Sequence, residues 1–117
     1  MIYSLSLLLL AQLQDPTYKE SYEVAINNDK PIVVFISANW CPGCRSYRKV
    51  FDEYKKNNND NVYAYVYEDV DRKTFDLLAE GVVVPQTIMF VKRKGVWYKK
   101  IMIGNKSLAE LKEFIDK

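Results

Sequence analysis

Apolar residues along this chain switch between helical and strand spacing. Thr17 and Glu20 stand at capping-box spacing, and Tyr18, Tyr22 and Ile26 follow at helical intervals. Asn27-Asn28-Asp29-Lys30-Pro31 breaks that helix. Residues 32–36 form a continuous apolar, β-branched run, which suits a strand buried on both faces. Tyr47, Val50, Phe51 and Tyr54 mark one face of a second helix, and residues 57–61 are a polar loop. Val62, Ala64 and Val66 then alternate with Tyr63, Tyr65 and Tyr67, which is strand spacing. The tyrosines are expected to pack between strand and helix, with their hydroxyls at the edge. Asp71 can cap a short helix that stops at Gly81. Two strands are expected at about residues 87–91 and 96–103, joined around Lys94-Gly95. Ser107 and Glu110 repeat the capping box, and Leu108, Leu111 and Ile115 give the last helix its apolar face.

The order is helix, strand, helix, strand, helix, hairpin, helix. Strands separated by helices require crossover connections and hence a partly parallel sheet, to which the closing hairpin adds antiparallel strands. This predicts an α/β fold: a central mixed sheet of about four strands with helices on both faces. A chain of 117 residues has room for one such core. The boundary is drawn at Asp15-Pro16, giving an extension over residues 1–15 and a domain over residues 16–117.

Composition narrows the chemistry. Net charge is +2, so bulk charge favours neither nucleic acid nor an acidic membrane surface. The sequence contains no histidine, which excludes a Ser-His-Asp triad, a Cys-His pair and any histidine-liganded metal. The only two cysteines are Cys41 and Cys44, too few for a four-cysteine zinc site. A disulfide closing so short a loop would stabilise the fold little. The pair is therefore read as reactive.

Cys41 falls where the second helix begins. At the N-cap its sulfur faces amide hydrogens and the positive end of the helix dipole, and both favour a thiolate. Pro42 suits the first helical position, where its missing amide is not needed. Gly43 and Cys44 keep amides that can donate. First cysteines of such motifs have pKa values lowered to about 3.5–7.5. Residues three apart share one side of a helical turn, so Cys44 can attack a mixed disulfide formed on Cys41 and release the substrate as a dithiol. Cys41 is the expected nucleophile, Cys44 the resolving thiol, and Trp40 an apolar rim.

From about residue 17 to residue 117 the chain resembles the thioredoxin superfamily. The resemblance is carried by Lys30-Pro31-Ile32-Val33-Val34-Phe35, by Ser37-Ala38-Asn39-Trp40-Cys41-Pro42-Gly43-Cys44-Arg45, by Val84-Pro85-Gln86-Thr87-Ile88-Met89-Phe90, and by Ile103-Gly104 leading into Leu108-Ala109-Glu110-Leu111. The segment from Tyr18 to Cys44 is most similar to thioredoxin-like domains of bacterial disulfide-exchange proteins, which often act outside the cytoplasm. The resemblance implies a thioredoxin-like fold and a thiol-disulfide oxidoreductase acting on protein disulfides. It makes Pro85 a cis-proline beside the cysteines, has Val84 present backbone groups to an extended substrate, and places Gly104 in the same groove with Trp40, Pro42 and Gly43. No cofactor is implied beyond a redox-active Cys41–Cys44 disulfide. The partners implied are protein substrates and a recycling redox protein, with a monomer expected. The chain departs from the family in having Pro42-Gly43 between the cysteines. It also has Phe35 where the family carries a buried Asp; Glu68 and Asp69 are the candidate replacements. Relatives span about −270 to −120 mV, so the potential of the pair decides the direction of electron flow.

Two rival functions stand beside this one. The first is a thioredoxin-fold binding or assembly module with incidental cysteines. The second is a glutathione-dependent, glutaredoxin-like exchanger, suggested by Pro42 directly after Cys41. Lys92-Arg93-Lys94 with Lys99-Lys100 makes a basic hairpin, read as a solvated tip because no nucleic-acid motif accompanies it. Residues 5–11 are apolar but too short to span a bilayer. They fit either a signal-peptide core, without its positive leader, or a buried first strand. The first choice makes the protein periplasmic or secreted, the second cytoplasmic.

Overall fold

Thr17 and Ser107 each open a helix through a complete capping box, as their spacing requires. The computed structural model describes residues 15–117, so the apolar run at 5–11 and the choice it poses lie outside the described residues. The elements are α1 (Tyr18–Asn28), β1 (Ile32–Ser37), α2 (Pro42–Asn57), β2 (Val62–Tyr67), α3 (Arg72–Leu78), β3 (Gln86–Arg93), β4 (Val96–Ile103) and α4 (Leu108–Asp116). The sheet runs β2-β1-β3-β4, with β1 parallel to β2 and antiparallel to β3, and β3 antiparallel to β4. Lys94 and Gly95 both have positive φ, 53° and 78°, as a two-residue hairpin between twisted strands requires.

The continuous apolar run of β1 is explained by its two covered faces. Val33 and Phe35 join Tyr47, Phe51, Leu111 and Ile115 under α2 and α4. Ile32, Val34 and Ile36 join Ala25, Phe75 and Leu78 under α1 and α3. Alternation in β2 sorts in the same way, with Tyr63 and Tyr65 on the first face and Ala64 and Val66 on the second. The tyrosine hydroxyls do reach the edge: Tyr63 donates to the Asn58 carbonyl at 2.7 Å, and Tyr65 donates to Asp52. Phe51 lies at the centre of an aromatic cluster, 5.3 Å from Phe35 and 5.5 Å from Tyr65 between ring centroids.

Several expectations need correction. The buried face of α1 is Ser21 and Ala25, while Tyr22 and Ile26 are exposed. Small residues let α1 lie close on β2, where Ser21 Oγ donates to the Tyr63 carbonyl at 2.6 Å. The large side chains are left flanking an open apolar groove with Phe90 and Trp97. Helix α3 ends at Leu78 rather than at Gly81. The buried side chain of Gln86 takes the backbone groups that another turn would use: it accepts from the Glu80 amide at 2.9 Å and donates to the Glu80 and Val83 carbonyls. The basic hairpin is only partly solvated. Lys99 Nζ donates to the Leu78 carbonyl at 3.0 Å and Lys100 Nζ to the Phe114 carbonyl at 2.6 Å, so each lies at a helix C-terminus, where a cation is favoured.

Two outcomes are expected. Phe51→Ala leaves a cavity in the aromatic cluster and costs about 3–5 kcal/mol in urea or guanidinium unfolding; a loss below about 1 kcal/mol contradicts this packing. Burial pushes the Tyr47 and Tyr63 phenols up to about 12, above the roughly 10 of an unfolded tyrosine. The folded state therefore holds more protons in that window. The stability they contribute is complete below about pH 10 and is lost as pH rises towards about 12. The phenolate absorbance of these two residues, taken as the difference from Tyr47→Phe and Tyr63→Phe variants, should thus rise together with loss of secondary structure; their ionisation near pH 10 with the fold intact contradicts the burial.

Candidate active site

The site begins where β1 runs out. Ala38 ends the buried stretch, and its carbonyl accepts from the Cys41 amide at 3.2 Å, closing a turn through Asn39 and Trp40. That turn is held from the β2 side. Asp69 accepts from the Asn39 amide at 3.1 Å, and Glu68 accepts from Trp40 Nε1 at 3.0 Å while pairing with Arg72 at 2.9 Å. The indole is otherwise open, with Trp40 64% exposed.

Cys41 is the N-cap of α2, in extended conformation at φ −96° and ψ 111°, with Pro42 opening the helix. Its Sγ accepts from the Cys44 amide at 3.2 Å. This is the contact the spacing implies: the first helical residue has no amide to offer, and the third turns its amide back onto the cap. Both cysteines are free thiols and both are buried.

The loop before β3 closes over the pair. Cys41 Sγ lies 3.8 Å from the Val84 carbonyl, and the Val84–Pro85 peptide is cis. A Cβ built on Gly43 would sit 3.9 Å from Pro85 Cδ, so the proline ring packs over the start of α2. Gly104, at φ 106°, donates its amide to the Pro85 carbonyl at 2.9 Å. Any other L-residue is strained at that φ. The structure thus gathers Trp40, Cys41, Pro42, Gly43, Val84, Pro85 and Gly104 around one end of the sheet.

Cys44 has a different environment. Burial, and next its hydrogen bond to Cys41, push its thiol up to about 11; the Ser37 hydroxyl and the Ala38 backbone act in the opposite direction. Phe35 stacks on Tyr47 at 5.4 Å and gives this sulfur no acid. Glu68 and Asp69 do not replace the missing acid either: they are bonded to Trp40 and Asn39, and neither is among the groups that shift the Cys44 thiol. An open cleft of about 350 Å³ touches Cys44 and is lined by Ser37, Arg45, Arg48, Lys49 and Tyr67. Arg48 is held at its back by Asp15 at 2.7 Å and Asp52 at 3.1 Å.

Sequence reasoning missed Ser37 and the Arg48 cluster. Ser37 could have been found as the one polar residue closing an apolar strand. The Arg48–Asp15 pair joins residues 33 positions apart, and no local pattern indicates it. Among the described residues, no group of three or more His, Cys, Asp and Glu is placed to hold a metal, and no helix is long and apolar enough to cross a membrane.

The chain has relatives in sequence and in fold. The thioredoxin of Borreliella burgdorferi is 28% identical over 87 residues, which is 74% of this chain and 72% of that one. Among solved structures, chloroplastic thioredoxin z superimposes with a TM-score of 0.71 at 18% identity, covering 87% of this chain and 90% of its own. Fasciola hepatica thioredoxin gives 0.69 at 20% identity, covering 86% and 92%. At these identities the structures speak for the fold. The thioredoxin family model matches residues 14–117, nearly the whole sequence, and the chain belongs to the thioredoxin family.

Proposed function

We propose that this chain is a dithiol–disulfide oxidoreductase acting on protein disulfides, with Cys41 as nucleophile and Cys44 as resolving thiol. The observation that carries this reading is the Cys44 amide donating to Cys41 Sγ at the mouth of α2. The donor at 3.2 Å fixes Cys41 Sγ at the mouth of the helix, and thiolates are the form that attacks disulfides.

In the reducing direction the Cys41 thiolate attacks one sulfur of a client disulfide. A Cys41–client bond forms, the client S–S bond breaks, and the departing sulfur leaves as a thiolate that takes a proton from water. The Cys44 thiolate then attacks Cys41 Sγ. The intramolecular disulfide forms and the second client sulfur leaves, so two electrons have passed to the client. The reverse sequence oxidises a dithiol. A separate redox protein must return the pair to its starting state.

The surroundings suit a polypeptide client. Trp40 is exposed beside Cys41, and Val82 and Val83 are exposed just before the Val84–Pro85 loop. These apolar surfaces can hold an extended segment, while backbone groups of Val84 align it over Cys41. Pro42, Gly43, Pro85 and Gly104 shape the groove with little side chain to obstruct it. A monomer suffices, since every group named belongs to one chain.

Cys41→Ser should abolish reduction of insulin disulfides, measured as turbidity from the released B chain. Cys44→Ser should accumulate mixed disulfides with client proteins that vanish on adding dithiothreitol. Full turnover by both variants contradicts the assignment. Pull-downs that survive double Cys→Ser replacement, with no insulin reduction by the unaltered chain, favour a binding module. Exchange confined to glutathione and small mixed disulfides favours a glutaredoxin-like role.

A further inference from the structure

Cys44 poses a problem that the exchange reaction must solve. It attacks only as a thiolate, yet it is 2% exposed and packed among aromatic rings. A base within the aromatic wall would serve, but none is there among the described residues. Phe35 is apolar, and the Tyr47 hydroxyl is engaged with Thr87. The carboxylates of Glu68 and Asp69 are turned towards Trp40 and Asn39. Ser37 and Ala38 share the cleft wall with Cys44, and the Ser37 hydroxyl and the Ala38 backbone both act to lower the pKa of its thiol.

Ser37 is the last residue of β1, paired with Tyr67 of β2, and it forms part of the wall of the cleft that touches Cys44. The charges facing that cleft are known from each side. Helix α2 supplies Arg45, Arg48 and Lys49, with Cys41 at its start. Strand β2 supplies the Tyr67 phenol, and Asp15 lies behind Arg48. Strand β1 supplies only neutral Ser37, and the loop and strand from Val84 to Thr87 contain no ionisable side chain. Arg48 is paired with Asp15 and Asp52, and Arg45 and Lys49 are the other cations of the lining.

We propose that Ser37 is a positioning residue for Cys44 in the resolving step, and that the cleft beside it carries away the proton this thiol gives up. The proposal rests on the disulfide-exchange reading. In the mixed disulfide, the Cys44 S–H donates to Ser37 Oγ, and the proton passes to solvent water in the cleft. The serine hydroxyl then rotates to donate to the thiolate. Cys44 Sγ attacks Cys41 Sγ, the Cys41–client bond breaks, and the client sulfur leaves with the electron pair and is protonated by water. No further oxidant or reductant takes part.

The test is stopped-flow reaction of the reduced protein with 5,5′-dithiobis(2-nitrobenzoate). One thionitrobenzoate is released when Cys41 is modified, and a second when Cys44 displaces the mixed disulfide; the second phase is independent of reagent concentration. Losing one hydrogen bond to the thiolate lowers its fraction about tenfold. The more basic sulfur is about threefold more nucleophilic, so Ser37→Ala should slow the second phase about threefold from mildly acidic to mildly alkaline pH. The first phase should not change, and Ser37→Thr should restore the second. Lys49→Glu, on an exposed position, should also slow the second phase at low ionic strength, with the difference closing at high salt. A second phase at wild-type rate in Ser37→Ala overturns the proposal, as does equal slowing of both phases by Ser37→Ala, and a wild-type second phase in Lys49→Glu at low ionic strength overturns the part given to the cleft. Release of one thionitrobenzoate only by the unaltered protein overturns the exchange reading instead.

Discussion

One hydrogen bond, from the Cys44 amide to Cys41 Sγ, organises the active end of this molecule. It exists because β1 stops and α2 starts within a few residues. Strand β1 must stop there because its apolar run is spent, and α2 can start there because Pro42 fits its first position. The buried rows of β1 anchor the approach, and the aromatic contacts of Tyr47 and Phe51 anchor the departure. Packing far larger in energy than any hydrogen bond therefore fixes the geometry of a single weak contact.

The two sulfurs occupy unlike environments although they lie on one helical turn. Cys41 stands at the cap beneath the Val84–Pro85 loop, where a client can approach. Cys44 stands one turn in, where burial opposes ionisation. That asymmetry orders the two steps of exchange: the sulfur at the cap makes the intermolecular bond, and the one a turn further in is kept for the intramolecular attack. A cleft with a cationic lining gives the buried thiol contact with solvent without opening the aromatic core.

Much of this could be read from the sequence. Alternation in residues 62–67 fixed both faces of β2, because a period of two leaves no freedom about which side a residue takes. The capping boxes at Thr17 and Ser107 needed only local spacing. The cysteine pair, its place at a helix start, the cis Val84–Pro85 peptide and Gly104 beside it are all where the motifs implied. Other features depended on tertiary packing. The stripe of Tyr18, Tyr22 and Ile26 has helical spacing, yet the sheet accepts α1 through Ser21 and Ala25, whose small size no hydrophobicity pattern rewards. Helix α3 stops early because a distant glutamine competes for its backbone. Ser37 read as the end of a strand, and its nearness to Cys44 follows only from the path of the chain through the turn.

The account turns on the two cysteines being chemically unequal. Brief alkylation of the reduced protein with iodoacetamide, followed by peptide mass spectrometry, measures that inequality directly. The expected result is rapid labelling of Cys41 at neutral pH, with Cys44 unmodified until long after Cys41 has reacted. Equal labelling of both residues, or labelling of Cys44 first, would contradict it.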